Sequence, residues 1–360
     1  MYGVGGEGMG HATRSAAVIE YLLKKKHTVH ICAGGRAFAY LKKRFPNVHK
    51  IDEIPLRYKN DTIDYVATAV YMAQHLLFSL IKMIQLLNKL YIDVNPDVVI
   101  SDYEVFTALT SKIKGVPLIA ANNISLIAQT KVDKLPWHIE QHKFWPLFVE
   151  WIVAVYANHH VIPAFHAVKK KKKNVTITSP VIRKNVRDLL GKKEIHHVLV
   201  YQTSPTHTKI LETLRNVDEQ FIVYGYGKRK QTKNMTFHAF NEKQFFEHLA
   251  SAKAVVLGGG FSFISEAIYL KKPILSVPLK NHYEQCINAH YVQKQGFGKY
   301  YVSPTANEVR QFMKLLPTYK KKLASYDFNP LDFAVTVERV MRKIGKRHQR
   351  VSHESYMELQ

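Results

Sequence analysis

The chain has 360 residues, 46% hydrophobic and 11% aromatic, which is ample for packed interiors and excludes a disordered chain. That length suits two domains of ordinary size rather than one core. Lys and Arg number 52 against 28 Asp and Glu, a net charge of +24 that favours polyanions: nucleic acid, an anionic membrane surface or phosphorylated substrates. The two cysteines, Cys32 and Cys286, supply neither a disulfide framework nor a metal-ligand spacing and fit a reducing compartment. The glycine-rich start leaves no charged-then-apolar leader, so a cytoplasmic location is expected.

"MYGV" predicts a short first strand. Residues 3 to 11, GVGGEGMGH, then place five glycines and His11 in nine positions, just before a helical apolar pattern over 13–26. Glycine is costly to order, so such a cluster marks a tight turn or a close backbone approach. "HTVHICAGG" reads as a strand ending in a turn. Residues 66–92 are unusually apolar, yet His75, Ser79, Lys82, Gln85 and Lys89 recur at three- and four-residue intervals. That stripe predicts an amphipathic helix, covering the sheet or lying on a bilayer, rather than a membrane span. "NPDVVISDY" and "GVPLIAANN" read as buried parallel strands. Their carboxyl ends would set Gly5 to His11, Asp102 to Glu104 and Asn122–Asn123 on one rim. "WHIEQHKFWPLFVEWIVAVYAN" holds all three tryptophans and suits a lipid interface or the floor of an acceptor pocket.

The alternation pauses at Pro163 and the run Lys169–Lys173, then restarts. Strands are expected at "HHVLVYQTS", "QFIVYGYG", "MTFHAF", "AKAVVLGGG" and "PILSVPL". Helices are expected at 206–216, 242–252, from Phe261 through "YLKK", at 282–295 and at 306–315. The organisation is α/β, two doubly wound domains facing a central cleft. The first domain covers 1–162, a linker 163–195 and the second domain 196–330. A helix over 331–345 returns to the first domain, and 346–360 forms a basic tail.

In "VVLGGGFSFISEAIYLKK" a strand runs through three glycines into a helix. The first N–H groups of a helix lack internal partners and its dipole favours an anion, so Gly259, Gly260, Phe261 and Ser262 could cradle a phosphate. The glycines equally fit a plain tight turn, since neither a Walker A loop nor a GxGxxG fingerprint is present. One turn on, Glu266 suits ribose hydroxyls, and Glu284–Gln285 suit the vicinal hydroxyls of a sugar. No Asp-x-Asp motif occurs, so a divalent cation holding the diphosphate is not required, and no cofactor is expected.

These segments resemble the donor half of GT-B glycosyltransferases of the MurG and monogalactosyldiacylglycerol-synthase type (family 28), akin to the UDP-glycosyltransferases. The resemblance implies that Gly259, Gly260, Phe261 and Ser262 hold the diphosphate of a UDP-sugar, Glu266 its ribose and Glu284–Gln285 its sugar. It further implies that Phe240 and Asn241 read the base. The glycine loop (Gly5, Gly6, Gly8, Gly10) resembles the family's N-terminal loop, which implies His11 as catalytic base or acceptor-positioning group. Asp102 and Glu104, at the carboxyl end of their strand, fit two roles, orienting the acceptor or assisting His11 on the one hand and structural capping on the other. "YQTSPTH" departs from the usual phosphate loop, leaving Thr203 and Ser204 to help. The resemblance thus implies an inverting, metal-independent hexosyltransferase. The acceptor side departs from the family's; the basic clusters and the apolar helix over 66–92 point to a lipid or lipid-linked acceptor, with the protein cytoplasmic and peripheral on the inner membrane face. A second reading keeps the chemistry and transfers to a nucleic-acid base; a third is a non-catalytic basic binding protein.

Overall fold

A computed structural model of the chain describes residues 1–6, 9–52, 58–59, 62–203, 208–227 and 229–357. Gly8 and Ser204, both expected at the site, lie outside the described residues. Two all-parallel sheets organise the fold. In the first, seven strands lie in the spatial order 175–178, 159–163, 118–121, 99–102, 2–4, 31–33 and 48–50. In the second, six strands lie in the order 235–237, 221–224, 198–201, 254–257, 274–276 and 298–300. The inner strands are mostly short runs of Val, Ile, Leu and Ala, buried on both faces because helices cover both, as parallel sheets require. In each sheet the order reverses beside the first strand of its domain, between 2–4 and 99–102 and between 198–201 and 254–257. Such reversals open crevices at the strands' carboxyl ends.

Three expectations change. The first helix spans Met9–Lys24, so His11 sits inside its first turn rather than before it. The stretch expected as linker contains the strand Val175–Thr178, which pairs in parallel with His159–Pro163 and completes the first sheet. The last helix runs Asp332–Met357, through most of the expected tail, and packs Phe333, Ala334, Val337 and Val340 into the first domain's core.

The long helix Tyr65–Val94 is capped by Asp64, whose side chain accepts from Ala67 N at 2.8 Å, and packs through Met83, Leu87 and Tyr91. Val66, Val70, Ile81 and Ile92 stay exposed on it. Among the described residues no helix is long and apolar enough to cross a membrane. Both cysteines are buried and free.

One apolar cluster joins the domains: Ile124, Ile127, Leu135 and Ile139 of the first pack with Phe261, Ile264, Tyr283 and Ile287 of the second. Each such side chain contributes about 1.5–3 kcal/mol on burial. The two crevices are thereby held mouth to mouth.

Candidate active site

The first crevice is built on the pairing of Tyr2–Val4 with Val99–Asp102. Gly5 N donates to Asp102 O at 3.0 Å, and a Cβ on Gly3 would lie 2.1 Å from Thr107 Oγ1, so the strand Tyr2–Val4 packs this closely on the helix Val105–Ile113 only with glycine there. Asp102 is fully buried and accepts from Ser15 Oγ at 2.8 Å, from Arg14 Nε at 3.1 Å and from Arg14 Nη2. His11 Nδ1 lies 2.8 Å from Asp102 Oδ1 and 3.0 Å from Arg14 Nη2. Burial opposes ionisation of Asp102, but the Arg14 guanidinium and His11 outweigh it and hold the carboxyl at about 2. An ionised carboxylate only accepts, and its contact with Nδ1 is the shorter of the two. The contact with Asp102 therefore takes a proton on Nδ1 and leaves Nε2 as the ring nitrogen free of the carboxylate. Tyr103 adopts φ +61°, unusual for a bulky residue, and its ring stacks on His11 at 5.8 Å.

Of the two roles open to it, Glu104 takes that of the cap. Its two oxygens accept from Phe106 N and Thr107 N, each at 2.7 Å, and from Thr107 Oγ1, so it caps the helix Val105–Ile113. Neither oxygen is left for chemistry.

A different acid lies behind the crevice. Glu150 is buried in the helix Phe144–Ala154 and accepts from Ser125 Oγ. Burial pushes its pKa up to about 8. The folded value therefore exceeds the unfolded one, about 4.3, so stability is full below pH 4 and falls as pH rises towards 8. Glu150→Gln should raise Tm by roughly 2–8 °C at pH 8 and by less at pH 5, read by calorimetry.

The second crevice is built on Ala254–Leu257 beside Val198–Tyr201. A Cβ on Gly259 would meet Gln285 O at 2.1 Å, whereas Gly260 has open space within 4 Å. Gly260 precedes the helix Phe261–Tyr269, which no side chain caps and whose first turn carries no acid. Ser262 Oγ donates to Gly10 O at 3.1 Å, so this first turn abuts the first turn of Met9–Lys24, which is equally acid-free. Two positive helix ends meeting across a cleft favour an anion between them.

The other donor residues have mixed fates. Glu284 is half-buried and faces the first domain, accepting from Asn123 Nδ2 at 2.8 Å. Gln285, expected to hold sugar hydroxyls, spends its Oε1 on Leu279 N at 3.0 Å and so braces the loop; only its amide NH₂ remains for a ligand. Glu266, expected to accept ribose hydroxyls, is buried with both oxygens engaged by Arg183, Nε at 2.7 Å and Nη2 at 2.9 Å. Asn241 caps the helix Glu242–Ser251 through Gln244 N, while Phe240 and Thr203 are exposed. Arg14 and Arg183 go unassigned by sequence reasoning, which sets Asn123 on the rim without giving it a role. For Arg14 a signal existed, since it lies three residues after His11 and hence on the same helix face. Among the described residues no group of three His, Cys, Asp or Glu is arranged to hold a metal ion.

Residues 1–317 match the model of glycosyl transferase family 1. The chain belongs to this family. Its relatives include an uncharacterized glycosyltransferase of Methanosarcina acetivorans, 25% identical over 335 residues, covering 84% of this chain and 86% of the relative. Another, from Methanosarcina mazei, is 24% identical over 327 residues, covering 82% and 84%. Among solved structures, MurG of Acinetobacter baumannii superposes with TM-score 0.59 at 16% identity over 96% of this chain and 98% of its own. The spinosyn rhamnosyltransferase SpnG complexed with thymidine diphosphate gives 0.63 at 11% identity over 94% and 99%. The glycosyl transferase thus has the GT-B architecture, two Rossmann-like domains about a cleft, and the two crevices are its facing walls.

Proposed function

We propose that the chain moves a hexose from a UDP-sugar to a hydroxyl of a lipid or lipid-linked acceptor, inverting the anomeric carbon. The observation that carries this reading is the meeting of two acid-free helix ends beside the His11–Asp102 pair. His11 Nε2 takes the acceptor's hydroxyl proton as the oxygen bonds to the anomeric carbon. The bond from that carbon to the diphosphate oxygen breaks, and UDP leaves with the electron pair. The amides at Gly260 to Ser262 and the two dipoles stabilise the departing charge without reorganising. Direct displacement gives inversion. A nucleoside diphosphate in SpnG, a fold neighbour, supports a nucleotide donor of this kind. A lipid acceptor is supported by exposed Trp137, Phe144 and Trp151 at 77%, 71% and 61%, near the basic run Lys169–Lys173, on the acceptor domain.

Thermal stabilisation by nucleotides tests the donor. UDP should raise Tm with or without Mg²⁺, more than dTDP, GDP or ADP; saturation near 100 Kd corresponds to about 2.7 kcal/mol. Gly260→Ala adds a methyl where the space is open and φ is −68°, so the fold should keep its Tm while the UDP response is lost. A response to dTDP alone moves the donor to another nucleotide, and no response to any overturns the reading. Sedimentation with phosphatidylglycerol vesicles against duplex DNA separates a lipid acceptor from a nucleic-acid one.

A further inference from the structure

Arg14 and Asn123 neither carry the proton nor hold the diphosphate, yet they connect the two ends of the transfer. Arg14 is only 5% exposed; its Nε and Nη2 are spent on Asp102, and its Nη1 donates to Asn123 Oδ1 at 2.7 Å. Asn123, also 5% exposed, donates from Nδ2 to Glu284 Oε1 at 2.8 Å. A continuous line of hydrogen bonds therefore runs from His11 through Asp102, Arg14 and Asn123 to Glu284, crossing from one domain to the other. We propose that Arg14 and Asn123 are positioning residues for the transfer, holding the His11–Asp102 pair of one domain in register with the Glu284 carboxylate of the other.

The chemistry of the bridge narrows the choice of residue. A guanidinium only donates and a carboxylate only accepts, so the link between them must accept at one end and donate at the other. A short amide does both, and its two partners fix which way it faces. Alanine does neither, and aspartate accepts from Arg14 but repels Glu284. The supports of the bridge are equally definite. Asn122 Oδ1 accepts from Ser125 N at 2.8 Å, which shapes the loop that carries Asn123. The helix Tyr283–Lys294, which carries Glu284, is tied to the first domain on both sides of that residue. Tyr283 OH donates to Glu140 at 3.3 Å, and His290 Nε2 and Lys294 Nζ reach Asp133 at 2.8 and 2.5 Å. Those outer contacts are partly exposed. The buried Asn123 bridge differs from them because it ends on the pair that takes the proton and on the carboxylate assigned to the donor sugar.

The proposal rests on the reading of His11 as base and Glu284 as sugar contact, so its test carries a readout that needs no turnover. In full-length protein labelled with ¹⁵N-histidine, the Nδ1 proton of His11 should resonate far downfield, identified by its loss in His11→Gln and in Asp102→Asn. Asn123→Ala should broaden or abolish it, because Arg14 is released from one side of Asp102. Asn123→Asp should retain it. Both variants should lower kcat about 10- to 100-fold with a UDP-sugar donor, and both should keep the wild-type Tm response to UDP, which reports the fold and the diphosphate site. A wild-type spectrum without the resonance, or one that Asn123→Ala leaves unchanged, overturns the bridge. So does unaltered kcat in Asn123→Asp. Loss of the UDP response in the wild type is the different result that would overturn the donor reading itself.

Discussion

His11→Ala should lose sugar transfer by about 10²–10⁴ in kcat while still binding UDP. The imidazole stands in the first turn of its helix with Nδ1 on Asp102, so only Nε2 is available to a substrate proton. Removing it takes away the proton acceptor and nothing that touches the helix end at Gly260. Asp102→Asn should fall by a comparable 10³–10⁴, roughly, because an amide no longer dictates the imidazole tautomer. It also strips Arg14 of a charged partner in a site closed to water. Glu104→Ala provides the contrast. It removes a helix cap, so it should cost about 0.5–2 kcal/mol of stability and leave kcat per folded molecule near wild type. Single-turnover assays paired with UDP thermal shifts distinguish the three. Equal kcat for wild type and His11→Ala would remove His11 from the mechanism.

The contrast between Asp102 and Glu104 also shows how far a sequence can be read. Both carboxylates stand at the end of one strand, two residues apart, and composition treats them alike. Only the tertiary partners separate them: Asp102 meets Arg14 and His11, whereas Glu104 turns back onto the helix that follows it. Most strands were legible because buried parallel strands are continuous apolar runs bounded by Gly or Pro, whereas the short strands at 48–50, 159–163 and 298–300 carry no such run. The two glycine loops were legible because glycines cluster there between an apolar run and a helical pattern; the structure sets both where a sheet reverses its order. The strand Val175–Thr178 was missed because it follows five lysines and alternates Val and Ile with Thr, as an edge strand can. Arg183 was missed for a related reason. It sits in an extended segment with no periodic pattern, and its partner Glu266 is 83 positions away. Local spacing encodes helix faces and turns; it does not encode which charge will neutralise which across a cleft.

That last pair carries the largest expected effect on stability. The Arg183 guanidinium grips Glu266 through two hydrogen bonds, donates from Nη1 to Glu242 at 3.1 Å, and lies 4.4 Å over the Phe246 ring. Burial works against its charge, but the Glu266 carboxylate more than compensates and raises the pKa further. Arg183→Ala would leave the Glu266 carboxylate, itself 3% exposed, without a counter-charge, at a cost of about 3–5 kcal/mol. Tm should fall by roughly 6–20 °C. Arg183→Lys should restore only part of the loss, since an ammonium cannot make the paired, in-plane contacts of the fork. Adding Glu266→Gln to Arg183→Ala should restore more, because the desolvated charge is then gone. That ordering separates a charge effect from simple loss of packing on Phe246, which no change at Glu266 would repair. The same series bears on the donor. Glu266→Gln alone keeps an acceptor oxygen for a ribose hydroxyl, so its UDP response should weaken modestly. In Arg183→Ala the carboxylate is free to turn, and the UDP response should weaken more than the change in Tm alone explains. If the double variant binds UDP as well as wild type, Glu266 serves the fold and takes no part in holding the donor.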